Sequence, residues 1–273
     1  MTKEPRTMVE RLTTETVHDV MRAMLNDVAT FANTHDLKLF LLGGTLLGSV
    51  RDGALIPWDD DVDVGFARKD YDRFMATYQP SNPRFELLTE TNPQNLVPYL
   101  RVVDRQTQAE SDYYEQTHGI FIDIFPIDAF NKKPWQLKCF FVKQKGLNIL
   151  RNVGRSTGRY PADAKLVGLK RCLKAVFPHL SAHRVARLQS KMARKFAQGT
   201  QHPTQAGVLN GMYGPKEIFP VSMWQNAHQV TFEGMPVWQP NAADQYLTQF
   251  FGNWRQPVKN IDKHGSFYLK EKN

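Results

Sequence analysis

The stretch from Leu41 to Phe66, LLGGTLLGSVRDGALIPWDDDVDVGF, constrains the fold of this 273-residue chain more than any other. An apolar run leads into a Gly-Gly pair and a short helical pattern, and a dense group of carboxylates then precedes a second apolar run. Those carboxylates are Asp59, Asp60, Asp61 and Asp63. Like charges this close repel one another and burying them costs free energy, so we expect a cation to hold them.

Three carboxylates in two predicted strands form the candidate metal site. Residues 62–66 are predicted as a strand, and the alternation of side chains puts Asp61 and Asp63 on one face of it. Asp123 is the only acid in the apolar strand predicted at 119–126, where it needs a cation or a hydrogen-bond donor. Magnesium prefers hard oxygen ligands and keeps water and phosphate oxygens in its shell. We therefore expect this trio to hold one or two Mg²⁺ ions for phosphoryl chemistry.

The Gly-Gly pair at the end of the first strand suits the phosphate side of such a site. Gly43, Gly44 and Thr45 lead into the helical pattern that ends at Arg51. Glycines let backbone N–H groups approach a phosphate, and a helix N-terminus adds a favourable partial charge. A Gly-Gly pair alone says little, but with an acidic pair and a third acid after it the pattern is coherent.

The acidic cluster could also be a calcium loop or a simple acidic turn. An EF-hand loop beginning at Asp59 matches at Asp61 and Asp63. Such a loop needs Gly at its sixth position and Glu at its twelfth, where this chain has Val64 and Asp70. A purely structural acidic turn, paired with nearby Lys and Arg, leaves the acid of the later strand unaccounted for.

The opening stretch, continued as ARKDYDRF, resembles the signature of the LicD family, whose relatives include the fukutin-type proteins. Later pieces of the sequence agree with it, namely GIFIDIFPID at 119–128, FEGMPVWQP at 232–240, Tyr246-Leu247 with Phe251-Gly252, and Lys263-His264. The resemblance is strong over 37–128 and loose over 216–268. It implies a fold of the polymerase-beta-like nucleotidyltransferase superfamily.

The resemblance also assigns roles to residues that match its motifs. It implies that Asp61 and Asp63 bind the metal and that Asp123 is the third carboxylate. It implies that Gly44 and Thr45 face the diphosphate of a nucleotide-linked donor. These assignments agree with the chemistry that the residue types suggest by themselves.

Two arginines and one departure from the family pattern qualify the assignment. Arg51, in SVRDG, and Arg101, in YLRVVD, are further candidates for phosphate contacts, and an ion pair with the acidic cluster is the alternative role for each. The family's C-terminal piece often reads Tyr-Gly-Asp-Tyr, whereas this chain has Phe251-Gly252-Asn253-Trp254. The lost carboxylate puts the identity of the transferred group in question.

The activity that the resemblance implies is a Mg-dependent phosphotransferase. It would move a phosphocholine-like head group from a donor such as CDP-choline to a sugar hydroxyl of a teichoic acid or another surface polysaccharide. The acceptor would be a lipid-linked or polymeric glycan. Two alternatives are nucleotidyl transfer to a sugar, and a non-catalytic protein that binds anionic glycans or membranes.

The expected fold is α+β, a nucleotidyltransferase-like mixed sheet flanked by helices, with a basic helical insertion. We predict a catalytic core at 1–131, a basic helical segment at 132–200, and a C-terminal part at 201–273 that completes the catalytic domain. A chain of this length can bury a substantial core. We expect the two cysteines, Cys139 and Cys172, to be core thiols rather than a disulfide or zinc site.

The charge of the chain is segregated. Between Lys132 and Lys195 there are 17 Lys or Arg residues and one acidic residue, so this segment is built to meet something anionic. An anionic membrane surface or an anionic glycan fits it. Nucleic acid is disfavoured because basic and aromatic residues do not interleave. Because the N-terminus is polar and the chain has no long apolar run, we expect a cytoplasmic protein. Because of the basic segment, we expect it to be peripheral on the inner face of the plasma membrane.

Overall fold

The fold is α+β, with a central mixed sheet flanked by helices. The structure is a computed structural model that describes residues 11–161, 164–259 and 266–270. The α-helices of this part are α1 (Thr14–Thr34), α2 (Gly43–Arg51), α3 (Arg68–Thr77), α4 (Pro134–Arg155), α5 (Val167–Val176), α6 (Ala182–Ala197), α7 (Ser222–Gln225) and α8 (Ala243–Phe251). A 3₁₀ turn lies at Gly214–Glu217.

The strands of the described part form one nine-stranded sheet and one separate pair. They are β1 (Phe40–Leu41), β2 (Asp63–Ala67), β3 (Phe85–Leu88), β4 (Leu100–Asp104), β5 (Thr107–Glu110), β6 (Phe121–Phe130), β7 (Gln205–Gly207), β8 (Ile218–Pro220), β9 (His228–Phe232), β10 (Met235–Gln239) and β11 (Ser266–Leu269). The main order is β3-β4-β6-β2-β1-β10-β9, and β7 joins β6 to β8. Strands β5 and β11 pair apart from it. The two central strands, β2 and β6, run parallel and their apolar runs are buried.

The first helix shows how local sequence fixes an element of the fold. Thr13 caps α1 by accepting a hydrogen bond from the N–H of Thr16 at 3.2 Å. A stripe of apolar side chains at helical spacing then enters the core, including Met21, Met24 and Val28, none of them exposed. The sequence predicts this helix from Thr7, and residues 7–10 lie outside the described part of the chain.

The pattern of the basic segment predicts helices near 134–150, 164–176 and 181–197, with a linker that starts at Arg151 between the first two. The structure has these helices as α4, α5 and α6. Helix α4 packs on α6, and α6 packs on β6, where Phe130, Phe140 and Ala193 form a second, smaller core. The first of these helices runs to Arg155, beyond its predicted end near 150. The stretch 151–155, predicted as the start of a linker, is therefore helical.

Some local predictions were wrong. Cys139 and Cys172 are both exposed rather than buried in the core. The sequence predicts a short helix over 241–251 with Asn241 as its N-cap. Helix α8 instead starts after Ala242, which adopts a left-handed conformation at φ 56° and makes no side-chain cap. The small β5–β11 sheet was not predicted as a pair. Among the described residues, no helix is long and apolar enough to cross a membrane.

Candidate active site

The pairing of β2 with β6 brings two of the predicted acids together. In this parallel pair Asp63 lies directly opposite Asp123, although sixty positions separate them in the chain. The backbone N–H of Asp123 also donates to the carbonyl of Val62 at 2.9 Å, which holds the two strand starts in register. Asp61 precedes β2 and lies close enough to perturb the ionisation of Asp63. The three predicted carboxylates thus meet at one end of the central strands.

The third carboxylate has a partner of its own. Asp123 accepts two hydrogen bonds from Arg101, Nε to Oδ1 at 2.5 Å and Nη2 to Oδ2 at 3.0 Å, from the neighbouring antiparallel strand β4. Both side chains are buried. The other side of Arg101 contacts Nε2 of His118 at 3.0 Å through Nη1, and its guanidinium lies 4.0 Å from the ring centre of Phe121. Arg101 therefore takes up the ion-pair role that the sequence left as an alternative to phosphate binding.

Helix α2 starts against the acidic cluster. Gly43 adopts φ +49°, and a Cβ added there would lie 2.8 Å from Oδ2 of Asp63, so a side chain is excluded. A Cβ on Gly44 would lie 2.9 Å from Oδ2 of Asp59. The hydroxyl of Thr45 is buried and accepts the backbone N–H of Asp63 at 2.8 Å. The glycines thus let the helix N-terminus approach the carboxylates directly.

The electrostatics of Asp63 suit a bound cation. Burial raises the pKa of Asp63 well above its usual range. The carboxylates of Asp61, Asp123 and Asp59 raise it further, in that order of size. A divalent cation with oxygen preference would offset this repulsion. Within the described ranges, no three His, Cys, Asp or Glu side chains are arranged to hold a metal ion. Mg²⁺ at the Asp61–Asp63 pair and a direct ligand role for Asp123 both stay predictions.

The other arginine predicted to contact phosphate, Arg51, pairs with the next residue in the chain. Arg51 makes two hydrogen bonds to the adjacent Asp52, Nε to Oδ1 at 2.8 Å and Nη2 to Oδ2 at 2.7 Å. These contacts raise the pKa of Arg51 and lower the pKa of Asp52. A phosphate contact from Arg51 would require this pair to open, and it stays a prediction.

Sequence reasoning missed a further buried acid near the cluster, Glu217. Glu217 ends the 3₁₀ turn, and its Oε1 accepts the backbone N–H of Tyr213 at 2.7 Å. Burial raises the pKa of Glu217 to about 8, and its charge adds to the rise in the pKa of Asp63. A Cβ on Gly211 would collide with the Glu217 carboxylate, so the loop closes tightly over it. No local pattern in the polar loop before it indicates this burial.

Two further side chains support the glycine turn and the acidic loop. The hydroxyl of Tyr246 on α8 accepts the backbone N–H of Gly43 at 3.1 Å. The ring of His18 on α1 is buried, and its Nε2 lies 2.7 Å from the carbonyl oxygen of Asp59. Tyr246 belongs to a quoted family motif, which was a usable signal. The sequence predicts His18, within the first helix, as a partly exposed surface histidine, and this prediction was wrong.

The sheet and its paired acids beside a glycine-led helix are those of a nucleotidyltransferase-type domain. Residues 36–151 match the family model described as LicD/FKTN/FKRP, nucleotidyltransferase domain. Residues 36–151 of the chain therefore carry a domain of the LicD type. It is 25% identical over 228 residues to the lipopolysaccharide cholinephosphotransferase LicD of Haemophilus influenzae, covering 81% of this chain and 83% of that protein.

A shorter similarity extends to uncharacterized proteins of two Rickettsia species. The protein of Rickettsia prowazekii is 34% identical over 68 residues, 25% of this chain and 24% of its own length. That of Rickettsia typhi is 34% identical over 65 residues, 24% of this chain and 20% of its own. These matches are too short to bear on activity.

Proposed function

We propose that the chain is a LicD-type enzyme, a transferase of phosphorus-containing groups that acts on a glycan. In its specific form, the proposal is transfer of a phosphocholine-like head group from a nucleotide-linked donor such as CDP-choline to a sugar hydroxyl. The acceptor would be a teichoic acid or another surface polysaccharide. The observation that carries the proposal is the meeting of Asp61, Asp63 and Asp123 at the N-terminus of a glycine-led helix.

The donor diphosphate is assigned to the start of α2. Gly43 and Gly44 place no side chain between this backbone and the carboxylates of Asp63 and Asp59, and the helix dipole favours an anion. The nearby carboxylates would repel a diphosphate by themselves. Mg²⁺ held by Asp61 and Asp63 would neutralise the negative charge of the carboxylates and of the diphosphate. This neutralisation is the chemistry that the ion would supply.

The acceptor hydroxyl is assigned to the side of Asp123. Because Arg101 holds both carboxylate oxygens in place, Asp123 is oriented without freedom to rotate. The acceptor oxygen would attack the donor phosphorus, the bond to the leaving nucleoside monophosphate would break, and the hydroxyl proton would pass to Asp123 or to water. Most of the rate gain would come from position and electrostatics.

An anionic membrane is the proposed location of the acceptor, reached from the cytoplasmic side. Four apolar side chains near the junction of α5 and α6 are exposed, namely Leu169, Val176, Phe177 and Leu188. Three of them line a groove of about 500 Å³ that also includes Arg184. Helix α5 itself carries three basic residues and no acid. Exposed apolar groups surrounded by Lys and Arg match the headgroup region of an anionic bilayer.

The test is a screen of CDP-choline and other nucleotide-linked donors with Mg²⁺ and a glycan acceptor, with released nucleoside monophosphate as the readout. Mass analysis of the acceptor separates the outcomes. Gain of a phosphorylated head group supports the proposal, whereas gain of the nucleoside monophosphate identifies a nucleotidyltransferase. A folded protein that binds acceptor and shows no release with any donor would support the non-catalytic alternative. Asp61→Asn serves as the inactive control, and Asp36→Asn as the matched exposed control.

A further inference from the structure

Three arginines from two parts of the chain come together near Asp123. Arg101 lies on β4, and Arg151 and Arg155 lie on the last turn and a half of α4, four residues apart on one face of that helix. Burial lowers the pKa of Arg151 and of Arg155. Repulsion by the charge of Arg101 lowers the pKa of Arg151 further, and the charges of Arg101 and Arg151 together lower that of Arg155 further. Guanidinium groups that affect one another in this way are close neighbours in a poorly solvated place.

The end of α4 is held in this position by the chain segment before β6. The backbone N–H of Glu115 donates to the carbonyl of Arg155 at 2.8 Å, and Tyr114 forms a β-bridge with Ser156. The ring of Tyr114 lies 4.9 Å from the Arg155 guanidinium. The arginines are therefore fixed by backbone contacts rather than placed by a flexible loop.

Among the described residues of this group, Asp123 forms an ion pair with Arg101 alone, although its charge also favours the charged form of Arg151. Asp123 pairs through both oxygens with Arg101, and no carboxylate of the described residues lies within salt-bridge distance of Arg151 or Arg155. His118 brings no negative charge, and burial together with Arg101 lowers its pKa to about 3, so the ring is neutral. Within the described ranges, two positive charges are therefore left without a counter-ion.

The hydrogen-bond donors of these two arginines are also unused. Nε and Nη1 of Arg151 and Nε of Arg155 are buried with no hydrogen-bond partner in the part of the chain that the structure describes. Arg151 is 5% exposed, whereas Arg155 is half-buried and so reaches the surface. An unpaired buried guanidinium is costly, and native proteins rarely keep several without a reason. An anion with several acceptor oxygens would satisfy both the charge and the donors.

We propose that Arg151 and Arg155 form a subsite for a phosphate group of the substrate, on the side of the site where Arg101 pairs with Asp123. The inference rests on the proposed function, because it places this phosphate in the same reaction centre. The phosphate belongs either to the nucleotide donor or to a phosphate-containing acceptor, and both share the chemistry of a tetrahedral oxyanion. Part of the basic segment thus belongs to the active site, independently of any membrane contact.

The test measures anion binding in the absence of turnover. Wild-type protein in EDTA is titrated with CDP, cytidine and glycerol phosphate, and binding is followed by calorimetry and by the rise in melting temperature. Arg151→Gln and Arg155→Gln are compared with Lys145→Gln, an exposed residue of the same helix. We expect each arginine variant to lose phosphate affinity by about ten- to hundredfold, as for a charge-assisted contact, and the lysine control to keep it.

The ligands separate the two sources of the phosphate. A loss for CDP with cytidine unaffected assigns the subsite to the donor, and a loss for glycerol phosphate assigns it to the acceptor. Ligand-free stability supplies a second readout. An arginine kept for a ligand leaves the melting temperature unchanged or higher when it becomes Gln, whereas a structural arginine lowers it.

The outcomes also distinguish this inference from the proposed function. Unchanged affinity for every phosphate ligand in folded Arg151→Gln and Arg155→Gln would overturn the subsite. The donor screen would still decide separately whether the wild-type protein has transferase activity. Arg155→Lys guards against misfolding, since it keeps the charge, and we expect it to retain more affinity than Arg155→Gln.

Discussion

Arg101 and Asp123 form a buried, two-point ion pair across the antiparallel strands β4 and β6. In the same register Asp123 lies beside Asp63 on the parallel strand β2. One carboxylate of the central sheet is thus neutralised by protein, while its neighbour is left among other acids. This asymmetry divides the site into a side supported by an arginine and a side of crowded carboxylates, where we predict the cation.

The acidic pair should matter for turnover and not for folding. Asp61→Asn and Asp63→Asn should each lower the transfer rate by about two to three orders of magnitude, because several kcal/mol of transition-state stabilisation is lost. In EDTA, Asp63→Asn should melt at the same temperature as the wild type or higher, since a crowded carboxylate is removed. Nucleoside monophosphate release and calorimetry measure the two effects. Wild-type turnover from a folded double variant would contradict the metal site.

The Arg101–Asp123 pair should matter for stability. Arg101→Met leaves a buried carboxylate without its partner and should cost about 3 kcal/mol in the free energy of unfolding. Denaturant unfolding checks this value. The exposed pair Arg255–Asp244 is the control, and Arg255→Met should cost no more than about 1 kcal/mol. Equal losses from both variants would show that burial does not govern the first pair.

Glu217 should make stability fall as pH rises. Its pKa is raised from the usual 4.5 to about 8 by burial, so the folded state holds its proton more tightly than the unfolded state. The contribution of this group to the free energy of unfolding is fully present below about pH 4.5 and is lost between about pH 4.5 and pH 8. The total loss is roughly 5 kcal/mol. Glu217→Gln removes this dependence.

The measurement for Glu217 is unfolding in EDTA at several pH values between 5 and 9. The variant should match the wild type at pH 5 and exceed it at pH 9, because Gln stays neutral and can still accept the Tyr213 N–H. Identical pH profiles for the two proteins would mean that the carboxyl group ionises freely in the folded state.

The glycine that opens α2 should tolerate no side chain. Gly43→Ala forces a left-handed conformation on alanine and puts its Cβ against Asp63, so we expect a loss of about 1–3 kcal/mol and of donor binding. Gly146→Ala is the matched control. It lies within α4 with nothing within 4 Å of the added Cβ, and should gain about 0.5–1 kcal/mol. Melting temperatures of both variants decide the point.

The apolar and basic surface of α5 and α6 should bind anionic vesicles. Sedimentation with phosphatidylserine-containing vesicles should show binding at low salt that weakens at high salt. Phe177→Gln and Leu169→Gln should each reduce it several-fold, at about 0.8 kcal/mol per methylene group withdrawn from the bilayer. Val258→Gln, which changes an exposed residue elsewhere, should not. No wild-type binding at low salt would remove the membrane from the proposal.

The sequence by itself determined the class of the fold and which residues are the candidates on one side of the site. Alternating and helical patterns predicted most of the strands and helices around Asp63 and Asp123, because local periodicity reflects which face is buried. The glycine pair at Gly43 was visible for the same reason, since a tight turn restricts residue type locally. The resemblance to the LicD family followed from these motifs.

Only the tertiary structure decided how those groups are partnered. The ion pair between Asp123 and Arg101 depends on the register of β4 against β6, and no local sequence pattern encodes that register. The burial of Glu217 and the meeting of Arg151 with Arg101 depend on long-range packing of the 3₁₀ turn and of α4. Charge is conspicuous in a sequence, but its partner and its exposure to water are properties of the folded chain.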